Sequence, residues 1–174
     1  MIYRIELEKI RETIEKVKKN PDEAKRVTKM EGTWNTGEGE GSQFEAEVSF
    51  EKGQMNLEMT QPTFLGGSGT RPGPMHYCLF GLASCYAATF ATIAAMENLH
   101  LEGFKIIAEN KMDFSRVLGL SENPPIEGVK ITAIVKSNAP EDEIKRIEKL
   151  AKERCPVVFC ITNPLKLETD LLIQ

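Results

Sequence analysis

The stretch Pro74–His100, PMHYCLFGLASCYAATFATIAAMENLH, decides the fold. It is apolar nearly all round, and a helix of that kind belongs where protein encloses it on every side. Proline suits a first helical turn, so the helix begins at Pro74 and runs to about Asn98. Gly81, Ala83, Ser84, Ala87 and Ala88 are small and let neighbouring backbone come close around Cys85. The same stretch holds the longest apolar run in the chain, but Gly81, Ser84, Cys85, Thr89 and Thr92 interrupt it and polar loops flank it. No second such segment exists, so it reads as a buried helix and not as a membrane span.

Upstream lies a glycine-rich loop, Leu65-Gly66-Gly67-Ser68-Gly69-Thr70-Arg71-Pro72-Gly73. It has neither the Gly-Lys-Ser/Thr ending of a phosphate loop nor dinucleotide spacing, and is expected to be a flexible entry to the helix. Before it, Phe44, Ala46, Val48 and Phe50 alternate with polar residues, and Met55, Leu57 and Met59 alternate again after a turn at Lys52-Gly53. That pattern predicts an antiparallel hairpin, with a further strand near Arg26–Trp34. At the N-terminus, Ile5, Ile10, Ile14 and Val17 recur at helical spacing among charges, predicting an amphipathic helix over residues 4–19 that packs by one stripe. Residues 1–24 thus read as a helical extension and residues 25–174 as the main domain.

Downstream, Gly103–Met112 and Val129–Val135 alternate as strands. Pro140-Glu141-Asp142-Glu143 opens a second helix, with proline in the first turn and acids at the positive end of its dipole. Cys155-Pro156 ends that helix. Val157–Ile161, which contains Cys160, and Leu165–Ile173 are expected to close the fold as a strand pair. The class is α+β, with antiparallel sheets around a buried central helix.

The 174 residues are 41% hydrophobic and 28% charged, with a formal charge of −4. A chain of this size buries enough surface to need no crosslink or metal. The balance gives no basic stripe for nucleic acid. The charged N-terminus lacks the apolar core of a signal peptide, so the cytoplasm is the expected compartment. Four cysteines there read as thiols or a catalytic pair before permanent crosslinks.

The thiols carry the chemistry. Cys85 could be a small inert core residue, since free cysteine is often buried. Cys78 sits two turns earlier, within about 20° of the same face but roughly 10 Å away along the axis, too far for a disulfide with Cys85. A partner must come from elsewhere, and Cys155, where a helix stops before Pro156, is the natural candidate. Metal binding competes, but C-x6-C and C-x4-C are not zinc-knuckle spacings, and His76 and His100 lie on unhelpful faces. No metal or cofactor is expected. In a reactive pair, one thiolate attacks the O–O bond of a peroxide and the second thiol condenses with the sulfenic acid. The first needs a lowered pKa. Mid-helix, Cys85 gains little from the helix dipole, and Arg71 is the nearest cation in sequence; an exposed loop charge is the other reading of Arg71.

At these residues the chain resembles the OsmC/Ohr family of osmotically induced and organic-hydroperoxide-resistance proteins. The resemblance spans about residues 25–173: the glycine-rich loop, Pro74 before a helix carrying Leu82-Ala83-Ser84-Cys85, and Ala139-Pro140 opening a helix that ends in Arg154-Cys155-Pro156-Val157. The N-terminal helix, Asp113–Leu120 and Thr162-Asn163-Pro164 resemble a longer branch of that family. The resemblance implies an OsmC-like fold in an intertwined homodimer with its thiol site at the subunit interface. It implies that Cys85 attacks peroxide and Cys155 resolves, with an organic hydroperoxide as substrate and a dithiol, such as a lipoylated protein, as reductant. Two positions depart from it. Met75 stands where typical members carry an acid, and Thr33–Gln61 contains no arginine to activate the thiol, Thr63 standing where one type has it. Arg71 is the candidate replacement, as a substrate-binding cation. Two other functions remain open: an OsmC-like redox or sulfur-handling thiol protein without efficient peroxidase turnover, and a non-catalytic dimeric ligand-binding module.

Overall fold

The computed structural model describes residues 2–173. Its elements, in chain order, are α1 (Leu7–Lys19), β1 (Glu31–Trp34), β2 (Phe44–Phe50), β3 (Gly53–Met59), α2 (Pro74–Met96), β4 (Gly103–Met112), β5 (Ile126–Lys136), α3 (Glu141–Arg154) and α4 (Pro156–Thr162). They make an α+β chain with two antiparallel sheets, β1-β2-β3 and β4-β5. The chain divides into two compact units, Glu8–Phe80, and Met1–Leu7 with Gly81–Gln174.

In the first unit the alternating residues pair as a hairpin, Phe44 opposite Met59 and Val48 opposite Met55. The connection is the two residues Glu51 and Lys52, with Gly53 already in the strand opposite Phe50. Gly32 of β1 is needed because the Phe44 ring crosses it; a Cβ there would lie 2.3 Å from that ring. The glycine-rich loop is a built turn and not a slack tether. Buried Thr60 closes it: its hydroxyl accepts from the Arg71 N–H at 3.0 Å and donates to the Arg71 carbonyl at 3.3 Å. Gly66 (φ 82°) and Gly69 (φ 65°) take left-handed conformations that favour glycine. The stripe of α1, Ile10, Ile14 and Val17, is only half-buried.

The second unit contains the main core. Leu82, Tyr86, Phe90, Ile93 and Ala94 of α2 meet Ile147 and Ala151 of α3, Cys155 and Val158. Phe104, Ile106 and Ala108 of β4, and Ile131, Ala133 and Val135 of β5, pack against them. The Phe90 and Phe104 rings stack with centroids 4.6 Å apart. Tyr3 ties the N-terminal residues to this unit, donating to the Leu99 carbonyl at 2.7 Å and accepting from the Leu101 N–H.

Two further expectations change. The central helix α2 is not enclosed on every side: Leu82, Tyr86, Phe90, Ile93 and Ala94 are buried along one face, with Ala95 near its end, while Phe80 is 73% exposed and Ser84 and Ala88 are also exposed. Apolarity shows what can be buried, while a single chain has only enough elements to cover one side. Among the described residues α2 is the one helix long and apolar enough to cross a membrane; here that helix carries the core cluster. The closing strand pair is absent. Residues 156–162, Cys160 included, form the helix α4, because Pro156 at its first position pre-sets a helical φ and Thr162 and Asn163 hydrogen-bond back to Val158 and Phe159. Leu165–Ile173 form no strand and remain exposed.

Candidate functional site

The two cysteines separated by 70 residues in sequence come together. The Cys155 thiol donates to the Cys85 sulfur at 3.5 Å, and both are free thiols. α2 delivers Cys85 one residue before buried Tyr86, so the thiol emerges at the margin of the packed face and is half-buried. Cys155 is delivered by the junction between α3 and α4. It caps the end of α3, its N–H bonding the Ala151 carbonyl at 3.0 Å, and is also the residue from which α4 starts. Proline after it favours the extended backbone it adopts (φ −74°, ψ 118°). It is wholly buried, 0% exposed.

Opposing influences act on the Cys85 thiol. Burial pushes its pKa up most strongly, and the neighbouring sulfurs of Cys155 and Cys160 push the same way. The backbone N–H of Val157 donates to it and draws the pKa down. That N–H belongs to the first turn of α4, where amides have no partner inside the helix. Sequence reasoning missed this donor because it expected a strand there; the Cys-Pro dipeptide was the available signal, since proline marks helix starts as well as stops. A C-terminal sulfur so placed can form a disulfide with little movement. The bond length is about 2.05 Å, so the sulfurs need to close by about 1.5 Å.

The model for the family described as OsmC-like protein matches residues 67–170, which include both cysteines. The chain belongs to the OsmC-like protein family. Among solved structures, this OsmC-like chain is similar to the organic hydroperoxide resistance protein OsmC of Legionella pneumophila, at TM-score 0.58 and 18% identity, covering 79% of this chain and 92% of the other. It is also similar to an OsmC-like protein of Mycoplasma pneumoniae, at TM-score 0.57 and 18% identity, covering 78% and 87%. A hypothetical protein of Aquifex aeolicus matches at TM-score 0.56 and 18% identity, over 79% and 88%. At such identities the likeness shows the fold. No curated protein matches the chain.

Arg71 lies in the other unit of the OsmC-like chain, engaged there: its Nε donates to the Glu58 carboxylate at 2.5 Å, and a terminal nitrogen reaches the Thr70 carbonyl at 3.2 Å. Tyr77 holds the same segment, donating to the Glu58 carbonyl at 2.5 Å. The remaining thiols, Cys78 and Cys160, are both exposed. His76 accepts from the Gly73 N–H at 3.1 Å and so serves the start of α2. Among the described residues no group of three or more histidine, cysteine or acidic side chains is arranged to hold a metal ion. A cavity of 520 Å³ lies beside the thiol pair's helices, lined by Leu82, Tyr86, Ile131, Val158 and Ile161 with Glu148 and Lys152 among its polar groups. The Tyr86 hydroxyl donates to Glu148 at 3.3 Å, and burial holds that phenol well above its ordinary pKa.

Proposed function

We propose that the chain is a thiol-dependent peroxidase that reduces organic hydroperoxides through a Cys85–Cys155 disulfide cycle. Membership of the OsmC-like family supports a redox or peroxide-related role. The observation that carries the finer reading is the 3.5 Å approach of the two free thiols, one half-buried and one sealed. In the cycle, the Cys85 thiolate attacks the peroxide's terminal oxygen, the O–O bond breaks, and the alkoxide takes a proton to leave as an alcohol. The Cys155 sulfur then attacks the sulfenic sulfur of Cys85, water leaves, and the disulfide forms. A dithiol, such as a lipoylated protein, returns both cysteines to thiols at the expense of its own oxidation. Reactivity requires the thiolate, so the upward push of burial on Cys85 must be offset. The Val157 N–H supplies part of that. Arg71, held by Thr60 and Glu58 in the loop that leads into α2, is our candidate for a substrate-binding cation.

The working form is a homodimer in the cytoplasm. Ile134, Phe159, Ile161, Leu167, Leu171, Leu172 and Ile173 of one unit are apolar and between 49% and 88% exposed. Monomers rarely leave so much apolar surface in water. One observation favours a second reading, a redox or sulfur-handling thiol protein without efficient turnover: the net push on Cys85 is upward, which lowers its thiolate fraction.

The test is consumption of cumene hydroperoxide with excess dithiol. Wild type turns over many equivalents and Cys85→Ser none. Equal, slow consumption by both sinks the peroxidase reading, whereas one modification of Cys85 without turnover selects the second.

A further inference from the structure

We propose that Leu165–Ile173 is the docking strand of the homodimer: each copy lays this segment along the free side of β5 in the other copy. The proposal rests on the homodimer above and names the surfaces that join.

β5 offers the slot. Among the described residues it pairs with β4 alone, so the other side of its backbone has no ladder. Val129, Lys130, Ile131, Thr132 and Ala133 follow one another along β5, and all line the cavity of 520 Å³. Successive strand residues point to opposite faces. A cavity that meets all five therefore runs along the side of the strand, against its backbone. Leu82, Val158 and Ile161 give it apolar walls. A free strand edge beside apolar walls is a template for an added strand.

The segment matches that slot. Leu165, Leu167, Thr169, Leu171 and Ile173 alternate with Lys166, Glu168, Asp170 and Leu172, the period of a strand with one apolar face. In the single chain these residues form no strand and all are exposed. As a strand the segment would span roughly 30 Å, against roughly 36 Å for β5. Charge agrees as well. Ile131, Ala133 and Val135 of β5 pack against the core, which leaves Lys130 and Lys136 on the opposite face. With its leucines turned to the core side, the segment brings Glu168 and Asp170 to the face of those lysines.

A second copy is the donor. The segment starts at the rim of the slot, which Ile161 and Thr162 line, yet none of residues 165–173 enters it. Asn163 sets its departure. The Asn163 backbone N–H donates to the Phe159 carbonyl at 3.0 Å. Its side-chain amide donates to that carbonyl at 3.0 Å and to the Thr162 hydroxyl at 3.1 Å. Its backbone is extended (φ −127°, ψ 139°), and the ring of Pro164 fixes the next φ. Folding back into its own slot would undo this cap. Exchange between two copies keeps it, and a two-fold axis makes the exchange reciprocal.

The test uses full-length protein at a series of concentrations, with mass measured by sedimentation equilibrium and β5 amides followed by hydrogen exchange. Wild type is expected to be a dimer. Leu167→Glu/Leu171→Glu should keep the wild-type circular dichroism but dissociate at least about a hundredfold more readily, because each dimer loses four buried leucines. In that variant the β5 amides that β4 leaves free should exchange at least about tenfold faster. Leu172→Glu makes the same change on the other face and should stay dimeric. An undiminished dimer in the double variant overturns strand exchange and leaves the homodimer standing on another surface. So does dissociation without faster exchange in β5, or equal dissociation by Leu172→Glu. A monomeric wild type at every concentration overturns both.

Discussion

Oxidising the Cys85–Cys155 pair should make the protein measurably more stable. Their sulfurs stand 3.5 Å apart across a span of 70 residues. On a chain-entropy account, crosslinking a span of that length removes freedom from the unfolded chain worth about 4 kcal/mol at 25 °C. The native state gives back part of this, because the sulfurs must close by about 1.5 Å and Cys155 has no spare room to move. A net gain of roughly 2–4 kcal/mol is expected, which for a chain of this size raises the melting temperature by roughly 5–15 °C. The assay is thermal melting by circular dichroism of diamide-treated and fully reduced protein, with Cys155→Ser taken through both treatments. The variant should show no gain. If oxidised wild type melts at or below the reduced form, or Cys155→Ser gains as much, the two thiols are not positioned as described.

Other outcomes follow from the same structure. Ile147→Ala removes a wholly buried side chain from the main core and should cost about 2–5 kcal/mol in urea unfolding; a change under 1 kcal/mol would place the core elsewhere. Alkylation of Cys85 by iodoacetamide should reach half its maximal rate above the ordinary thiol value of 9.0, because burial raises it, and a midpoint well below that would reveal a cation acting on the thiol. Because the folded thiol holds its proton more tightly than the unfolded one, its contribution to stability is complete below the ordinary value and is lost as pH rises through the raised one. Cys85→Ser should accordingly lose less stability than wild type in strong alkali. On the proposal that Arg71 binds substrate, Arg71→Ala should lower kcat/KM for cumene hydroperoxide while changing the melting temperature little, since its ion pair with Glu58 is partly exposed; an unchanged kcat/KM refutes that proposal.

Much of the fold can be read where local signals agree. Alternation in Phe44–Phe50 and Gly103–Met112 and the proline-plus-acid start of α3 lead to the observed elements. Val157–Ile161 shows where they conflict. Its β-branched run favours a strand, but Pro156 and the packing of Val158 against α2 and α3 override it. The exposed face of α2 has a different origin, because composition carries no information about which partner covers a surface. The site divides likewise. Cys85 and Cys155 can be picked out by residue type and position, whereas the Val157 donor belongs to the backbone and exists only once α4 has formed. Arg71 is nearest to Cys85 among cations in sequence, yet its partners in the folded chain are Glu58 and Thr60.

The most direct measurement is peptide mass spectrometry after one equivalent of cumene hydroperoxide, with free thiols blocked by alkylation. The first crosslink should join Cys85 to Cys155, with no sulfinic acid on Cys85. An unmodified Cys85, or a first link between Cys78 and Cys160, would contradict the account.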